Sequence, residues 1–377
     1  MKTLNVAIIG QRFMGRVHSH AWRNVQTFFD LDVSPVMKVA CGRDEASLNG
    51  FARRWGWQET ETDWRVLIAR KDIDIVDIAV PNDLHHDIAV EAARAGKHIF
   101  CEKPLALNAD QARSMLAAVE GSGVVNYVNF CYRRCPAVAL AKQMIKEDRI
   151  GRIFHWRGAY LNSRLVDAQV PLGWTMLRER AGSGPQGALN SHSIDLARYL
   201  VADIASVMAM EARFIPERPV PQAGSGQSRG AVTVEDSAFM VVEFAGGALG
   251  SFDTSRFATG RKNYNYFEIY GSKGSLLFDF ERMNELEFFS REAPAHIQGF
   301  STILATERMH PYLSAWWPPG HPLGYEHSFF HAVADFLGAV DGKSAIAPSF
   351  RDGLRVMEII DAALESARTG RKVAVPS

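Results

Sequence analysis

The chain has 377 residues, 47% apolar and 22% charged, and its 42 basic side chains balance 42 acidic ones. That length suits two domains better than one core, and the charge balance excludes a global field that would draw the protein to nucleic acid or an anionic membrane. The apolar run at residues 4–9 is too short for the core of a signal peptide and no run reaches the roughly 20 apolar residues of a membrane span, so a cytoplasmic location and a small-molecule partner are expected.

Residues 4–9 read as a strand that ends in Gly10-Gln11-Arg12-Phe13-Met14-Gly15 and passes into a helix. Strand, glycine turn and helix place backbone N–H groups where a pyrophosphate sits. The middle glycine of G-x-G-x-x-G is Arg12 here, whose side chain can lie along the phosphates instead. A second apolar run, 36–41, leads to Gly42-Arg43-Asp44. An NAD-binding fold usually carries an acid at that strand end for the ribose 2′-hydroxyl. Glycine leaves room for a 2′-phosphate and Arg43 can pair with it, which favours NADP(H), with NAD(H) as the alternative. Arg43 stacked on adenine or lying in solvent is the plainer reading.

Residues 73–80 alternate and then turn continuously apolar, as a central parallel strand should, and end in Pro81-Asn82-Asp83-Leu84-His85. A small-residue helix then returns the chain to Gly96-Lys97-His98-Ile99-Phe100-Cys101-Glu102-Lys103-Pro104-Leu105. An amine at the carboxyl end of a parallel strand projects into the crevice where open α/β sheets bind ligands, so Lys103 is the first catalytic candidate. Taken alone it could equally be a surface lysine before a turn. Repeated strand and helix over about 100 residues specify a doubly wound sheet. Cys41, Cys101, Cys131 and Cys135 show no metal-like pairing with histidine, and no metal is expected; Cys131 and Cys135 are a formal redox pair, though buried thiols are the commoner outcome.

The Gly10 turn with Phe13-Met14-Gly15 and His18, Pro81-Asn82-x-x-His85, Glu102-Lys103-Pro104, Tyr132-Arg133-Arg134, and Gly184 through His192 to Asp195 resemble the glucose–fructose oxidoreductase/inositol dehydrogenase (Gfo/Idh/MocA) family. Residues 256–270 and Gly324-Tyr325-Glu326-His327 are most similar to its levoglucosan-dehydrogenase-like sugar dehydrogenases. The resemblance implies an α/β chain: an N-terminal Rossmann dinucleotide-binding domain, drawn at 1–128, and a C-terminal substrate-binding and oligomerisation α+β domain with an open, mostly antiparallel sheet, at 129–377. It implies hydride transfer between a nicotinamide cofactor and a secondary alcohol or ketone of a sugar, sugar derivative or cyclitol. Carried over by position, Lys103 is the catalytic lysine, Glu102 and Asn82 line the nicotinamide-ribose side, and His192 is the acid/base. The candidate cofactor set is then Gly10, Arg12, Phe13, Met14, Gly15, Gly42, Arg43, Pro81, Asn82, His85 and Glu102.

In the second half, Ile194, Ala197 and Leu200 share a helical face, and His192 and Asp195 stand three apart on it. A carboxylate beside an imidazole fixes its tautomer and suits a proton shuttle near neutral pH, although a histidine at a helix start is more often a cap or a core group. The family usually has an aspartate four residues before that histidine and a glycine two before it; Ala188 and Asn190 stand there. Ala188 cannot titrate, so proton transfer rests on Lys103 and His192. This departure keeps open two rivals: a dinucleotide-assisted lyase or glycosidase, and a non-enzymatic dinucleotide-binding sensor.

Residues 151–160, 231–244, 247–252, 266–270 and 275–280 read as strands, the last two joined by a Gly271-Ser272-Lys273-Gly274 hairpin. One face of such a sheet is available for a partner subunit, giving a homodimer or homotetramer. Residues 216–230 read as a mobile loop. Trp316 in an aromatic loop, Tyr325 and His327 are substrate candidates because rings stack on sugar C–H faces and polar tips bond hydroxyls; a packing plug is the competing reading. Arg133, Arg178, Asn190 and Asp195 complete the candidate substrate set, either arginine being equally a salt-bridged surface group. The last helix, 354–368, is expected to pack on the first domain.

Overall fold

A computed structural model describes residues 2–221 and 228–376. The first part of the chain alternates strand and helix: β1 Lys2–Ile9, α1 Phe13–Phe28, β2 Val33–Cys41, α2 Glu45–Trp55, β3 Glu59–Glu61, α3 Trp64–Ala69, β4 Ile75–Ile78, α4 His85–Arg94, β5 His98–Cys101, α5 Ala109–Ser122 and β6 Asn126–Val128. The rest runs α6 Pro136–Lys146, β7 Ile153–Leu161, α7 Arg178–Ala181, α8 Ser191–Leu200, β8 Ile204–Ala212, β9 Glu217–Pro219, β10 Arg229–Ala231, β11 Ser237–Phe244, β12 Leu249–Ser255, β13 Tyr264–Gly271, β14 Gly274–Asp279, β15 Glu285–Ser290, β16 Ser301–Leu304, α9 His327–Val340, α10 Phe350–Thr369 and β17 Val373–Ala374. Two compact units result: residues 1–134 with 323–355, and residues 135–322 with 356–377. The single boundary drawn at 128/129 therefore becomes an exchange of segments, and α10 starts in the first unit and continues in the second.

In the first unit the six strands form one parallel sheet in the order β3-β2-β1-β4-β5-β6. The order reverses between β1 and β4, and ligands of open α/β sheets bind outside the strand ends at such a switch point. The helices start and stop on local chemistry. Asp44 caps α2 by accepting the Ser47 N–H at 2.8 Å, and Gly56 ends it with φ 87°. Asn108 caps α5 by accepting the Gln111 N–H, and Gly123 ends it with φ 67°. These are the residue types that satisfy helix ends.

The second unit holds a nine-stranded sheet in the order β16-β15-β14-β13-β7-β12-β11-β8-β17. β7 and β12 are parallel and the other pairs antiparallel, as the mostly antiparallel expectation has it. The strand read over 231–244 is divided, because Asp236 turns its carboxylate to the N–H groups of Phe214 and Ile215 at 2.8 and 3.1 Å. Regular pairing begins only at Ser237. Within the stretch read as a mobile loop, β9 and β10 form an antiparallel ribbon, while residues 222–227 lie outside the described residues.

The sheet core of the first unit centres on Phe100, which is fully buried with the rings of Tyr127, Phe336 and Trp22 at 4.8, 5.5 and 6.0 Å. Removing such a ring loses its burial and leaves a cavity. Phe100→Ala is expected to lower stability by about 3–5 kcal/mol, read from urea unfolding, whereas the exposed Leu249→Ala should leave it nearly unchanged.

Candidate active site

Along the carboxyl ends of β1, β2 and β4 runs a cleft of about 480 Å³, bordered by Gly10, Arg12, Gly42, Arg43, Asp44 and Pro81. Gly10 has φ 122°, and a Cβ there would lie 2.1 Å from the Ala79 carbonyl oxygen; one on Gly15 would lie 2.2 Å from that of Gly10. Both glycines are required by close backbone approach. They bring the start of α1, with the N–H groups of Phe13, Met14 and Gly15, to the mouth of the switch point. At β2's end a Cβ on Gly42 would meet Gln11 Oε1 at 2.7 Å. Arg12, Arg43 and a helix N-terminus against an open groove suit a pyrophosphate.

Lys103 follows β5, one strand beyond β4, and the loops around it are tied together by buried histidines. His85 faces the carbonyl oxygens of Pro104 and Val80, each at 3.0 Å, so it braces the loop carrying Asn82 against the loop carrying Lys103. Burial holds its pKa below the usual value. Glu102 is 4% exposed; its Oε2 accepts the Lys103 N–H at 3.3 Å, and its Oε1 meets His18 Nε2 at 3.0 Å and the Asn129 amide at 2.6 Å. Asn82 is buried in the turn after β4.

The returning segment adds Tyr325, whose ring lies parallel to that of Phe13 at 6.3 Å and edge-on to Phe329 at 5.0 Å. His327 accepts the Gly324 N–H at 3.0 Å, and burial lowers its pKa. Arg133 is buried and paired with Asp352 at 3.2 Å within the first unit.

In the second unit α8 is preceded by a π-helical turn, Gln186–Asn190, a wide turn that recurs at functional sites. Gly184 begins this approach beneath Glu235, where a Cβ would lie 2.0 Å from the Glu235 carbonyl oxygen, and Glu235 Oε1 accepts the Gln186 N–H at 3.1 Å. His192 and Asp195 are both buried on α8, with the Tyr160 ring 6.0 Å from His192. Asn190 is enclosed, its amide donating to Gln186 Oε1 at 2.7 Å and to Met240 Sδ at 3.4 Å, so its hydrogen bonds serve the turn. Arg178 lies exposed at the start of α7, its Nε donating to the Thr233 carbonyl. Trp316 is 9% exposed. Lys103, Tyr325 and Arg133 thus belong to the first unit, and His192, Asn190, Asp195, Arg178 and Trp316 to the second.

Three residues beneath Lys103 escaped the sequence reading as site members: His18, Asp77 and Asn129. The available signal was an acid inside the continuously apolar strand β4, where a carboxylate needs a partner. The formal Cys131/Cys135 pair is reduced and buried, and burial pushes the Cys135 thiol well up, which does not suit a reactive thiolate.

Residues 4–130 match the model of an oxidoreductase family with an NAD-binding Rossmann fold, and residues 138–277 match that of the GFO/IDH/MocA C-terminal domain. The chain is 42% identical to levoglucosan dehydrogenase of Pseudarthrobacter phenanthrenivorans over 100% of its own length and 99% of the relative's. It is 25% identical to inositol 2-dehydrogenase of Rhizobium meliloti over 99% of each. Among solved structures, an oxidoreductase domain protein from Kribbella flavida superposes with a TM-score of 0.96 at 44% identity, covering 100% of both chains. A levoglucosan dehydrogenase in complex with NADH and levoglucosan does so with a TM-score of 0.96 at 42% identity, again over 100% of both chains. With both parts of the chain matched and a close relative aligned from end to end, this protein belongs to the Gfo/Idh/MocA oxidoreductase family.

Proposed function

We propose that the protein is a nicotinamide-dependent dehydrogenase or ketone reductase acting on a secondary carbon of a sugar, sugar derivative or cyclitol, with anhydrosugars of the levoglucosan kind as leading substrates. The observation that carries this reading is Lys103 just after β5, the strand paired with β4 whose end borders the switch-point cleft, in a chain 42% identical end to end to a levoglucosan dehydrogenase. A bound nicotinamide would supply the hydride acceptor or donor. Gly10, Arg12, Phe13, Met14 and Gly15 would hold the pyrophosphate, while Pro81, Asn82, His85 and Glu102 would shape the nicotinamide-ribose side. Lys103 is assigned to the reacting oxygen, where an ammonium stabilises a developing alkoxide. His192 is assigned as the acid/base, and Ala188 leaves it without the family's usual aspartate. Tyr325, His327 and Trp316 are assigned to substrate hydroxyls and C–H faces, and Asp195, Asn190, Arg133 and Arg178 keep the substrate-side assignment that the resemblance gives them.

On cofactor choice we propose a preference for NADP(H), because position 42 lacks an acid and Arg43 borders the same cleft. A specific observation favours NAD(H) as the second reading: the Asp44 carboxylate also borders that cleft, and the levoglucosan dehydrogenase structures hold NADH.

The outer face of the large sheet supports self-association. Pairing aligns Met208, Val241, Ser251, Arg157 and Glu268 in one row and Met210, Phe239, Asp253, Ala159 and Tyr266 in the next. Met210 is 76% exposed, Phe239 and Val241 56% each. An apolar patch of this kind is characteristic of an interface, and we assign it to a homodimer or homotetramer.

Three measurements test these readings. A screen of sugars, anhydrosugars and cyclitols with both cofactors at 340 nm should reveal turnover, and Lys103→Ala should cut it by about 10²–10³-fold with dinucleotide affinity nearly intact; normal turnover removes Lys103 from the chemistry. Gly42→Asp with Arg43→Ala should move the ratio of dissociation constants toward NAD(H) by about ten- to a hundred-fold, and equal affinities in the unaltered protein would show that Arg43 reads no phosphate. Light scattering at micromolar concentration should give a dimer or tetramer that Phe239→Glu with Met210→Glu weakens, a monomer refuting the interface.

A further inference from the structure

Below the Lys103 loop lies an ionic cluster with almost no exposure. His18 Nδ1 meets the two oxygens of Asp77 at 2.8 and 3.0 Å, while His18 Nε2 meets Glu102 Oε1 at 3.0 Å. A neutral imidazole donates from one nitrogen only, so a carboxylate at each nitrogen calls for the imidazolium. Burial opposes that charge, but the attraction of Asp77, and after it the bond to Glu102, outweighs burial and raises the His18 pKa to about 10. Burial likewise pushes the Glu102 carboxyl up, and the His18 bond reverses this and holds it below the usual range.

The neighbours of His18 complete the account. From β4 comes Asp77, and from the end of β5 come Glu102, Lys103 beside it, and the Cys101 thiol, which burial keeps neutral. The stretch after β6 contributes Asn129, whose amide donates to Glu102. β5 and α9 also contribute the rings of Phe100 and Phe329, 5.4 and 5.5 Å away. On α1 itself, Trp22 Nε1 donates to Asp77 Oδ2 at 2.7 Å. An indole N–H cannot pass a proton onward, so the array ends there and is an anchor rather than a proton path. Two carboxylates against one imidazolium give the buried array one net negative charge, with the Lys103 ammonium as its positive neighbour on the Glu102 side. Through Glu102 Oε2, that array reaches the backbone N–H of Lys103.

We propose that His18 and Asp77 are positioning residues that act through Glu102, fixing the Lys103 backbone and placing one net negative charge that favours the oxidised, cationic nicotinamide over the reduced one. The inference rests on the dinucleotide reading given above.

The test needs no turnover. The ¹⁵N imidazole signals of His18 in the unaltered protein should be those of an imidazolium from pH 5 to 9, since a raised folded-state pKa keeps the charge below it; titration near the ordinary value of about 6.5 overturns the proposal. Asp77→Asn keeps the size and an oxygen for Trp22 while removing one charge. It should bring His18 into titration at a lower pH and, measured below that pH, where His18 is still charged, raise the ratio of dissociation constants, oxidised over reduced dinucleotide, by about tenfold. An unchanged ratio in a variant with native circular dichroism overturns the proposal. Should Asp77→Asn not fold, Glu102→Gln, which removes the other carboxylate charge and keeps an oxygen for the Lys103 N–H, should raise the same ratio, and no change there is equally fatal. If the unaltered protein binds neither dinucleotide while His18 is still an imidazolium, the dinucleotide reading has failed and the proposal falls with it, recognisably for that reason.

Discussion

Two buried carboxylates lie in the first unit, Asp77 inside the otherwise apolar β4 and Glu102 directly after β5. Leaving either uncompensated would cost several kcal/mol, comparable with a large part of a domain's stability. The compensation comes from α1, whose His18 and Trp22 must face the same strand ends. That requirement sets where α1 lies along the sheet, and so where its first turn meets the glycine turn. The cleft at the switch point and the Lys103 loop are consequences of one packing arrangement.

The returning segment reinforces the same region. Phe329 of α9 packs on His18, Tyr325 lies between Phe329 and Phe13, and Phe336 closes the ring cluster around Phe100. Arg133 and Arg134 are paired with Asp352 and Asp335 of that segment, which ties the end of the parallel sheet to it. The first unit therefore contains chain from beyond residue 320, and its candidate site has aromatic walls from the two ends of the sequence. In the second unit the π-helical turn before α8 is held by Glu235, which accepts the Gln186 N–H, and by the Asn190 amide, which donates to Gln186.

Periodicity and glycine placement made the parallel sheet legible: a β4 that is apolar apart from Asp77 and a Gly10 turn are local signals with local causes. Lys103 was legible because its strand ends abruptly in charge. The partition of the second half was less so. Residues 232–236 carry strand-like composition, yet Glu235 and Asp236 are drawn off to cap other segments, a demand made by groups some twenty to fifty residues away. The burial of Arg133 was not legible for the same reason, since a buried arginine and an exposed one look identical until the partner at position 352 is known.

What the chain's order of residues determined by itself was the alternation of elements, their caps and turns, and the family to which the motifs belong. These depend on contacts within a few residues, or on spacings that survive being read as text. Tertiary structure alone decided that His18, Asp77, Glu102 and Asn129 share one buried cluster across separations of 27 to 111 residues, and that α9 belongs with the first unit. A buried histidine is held as an imidazolium above its ordinary pKa because folding brings a carboxylate to each of its nitrogens, and no local pattern encodes that meeting.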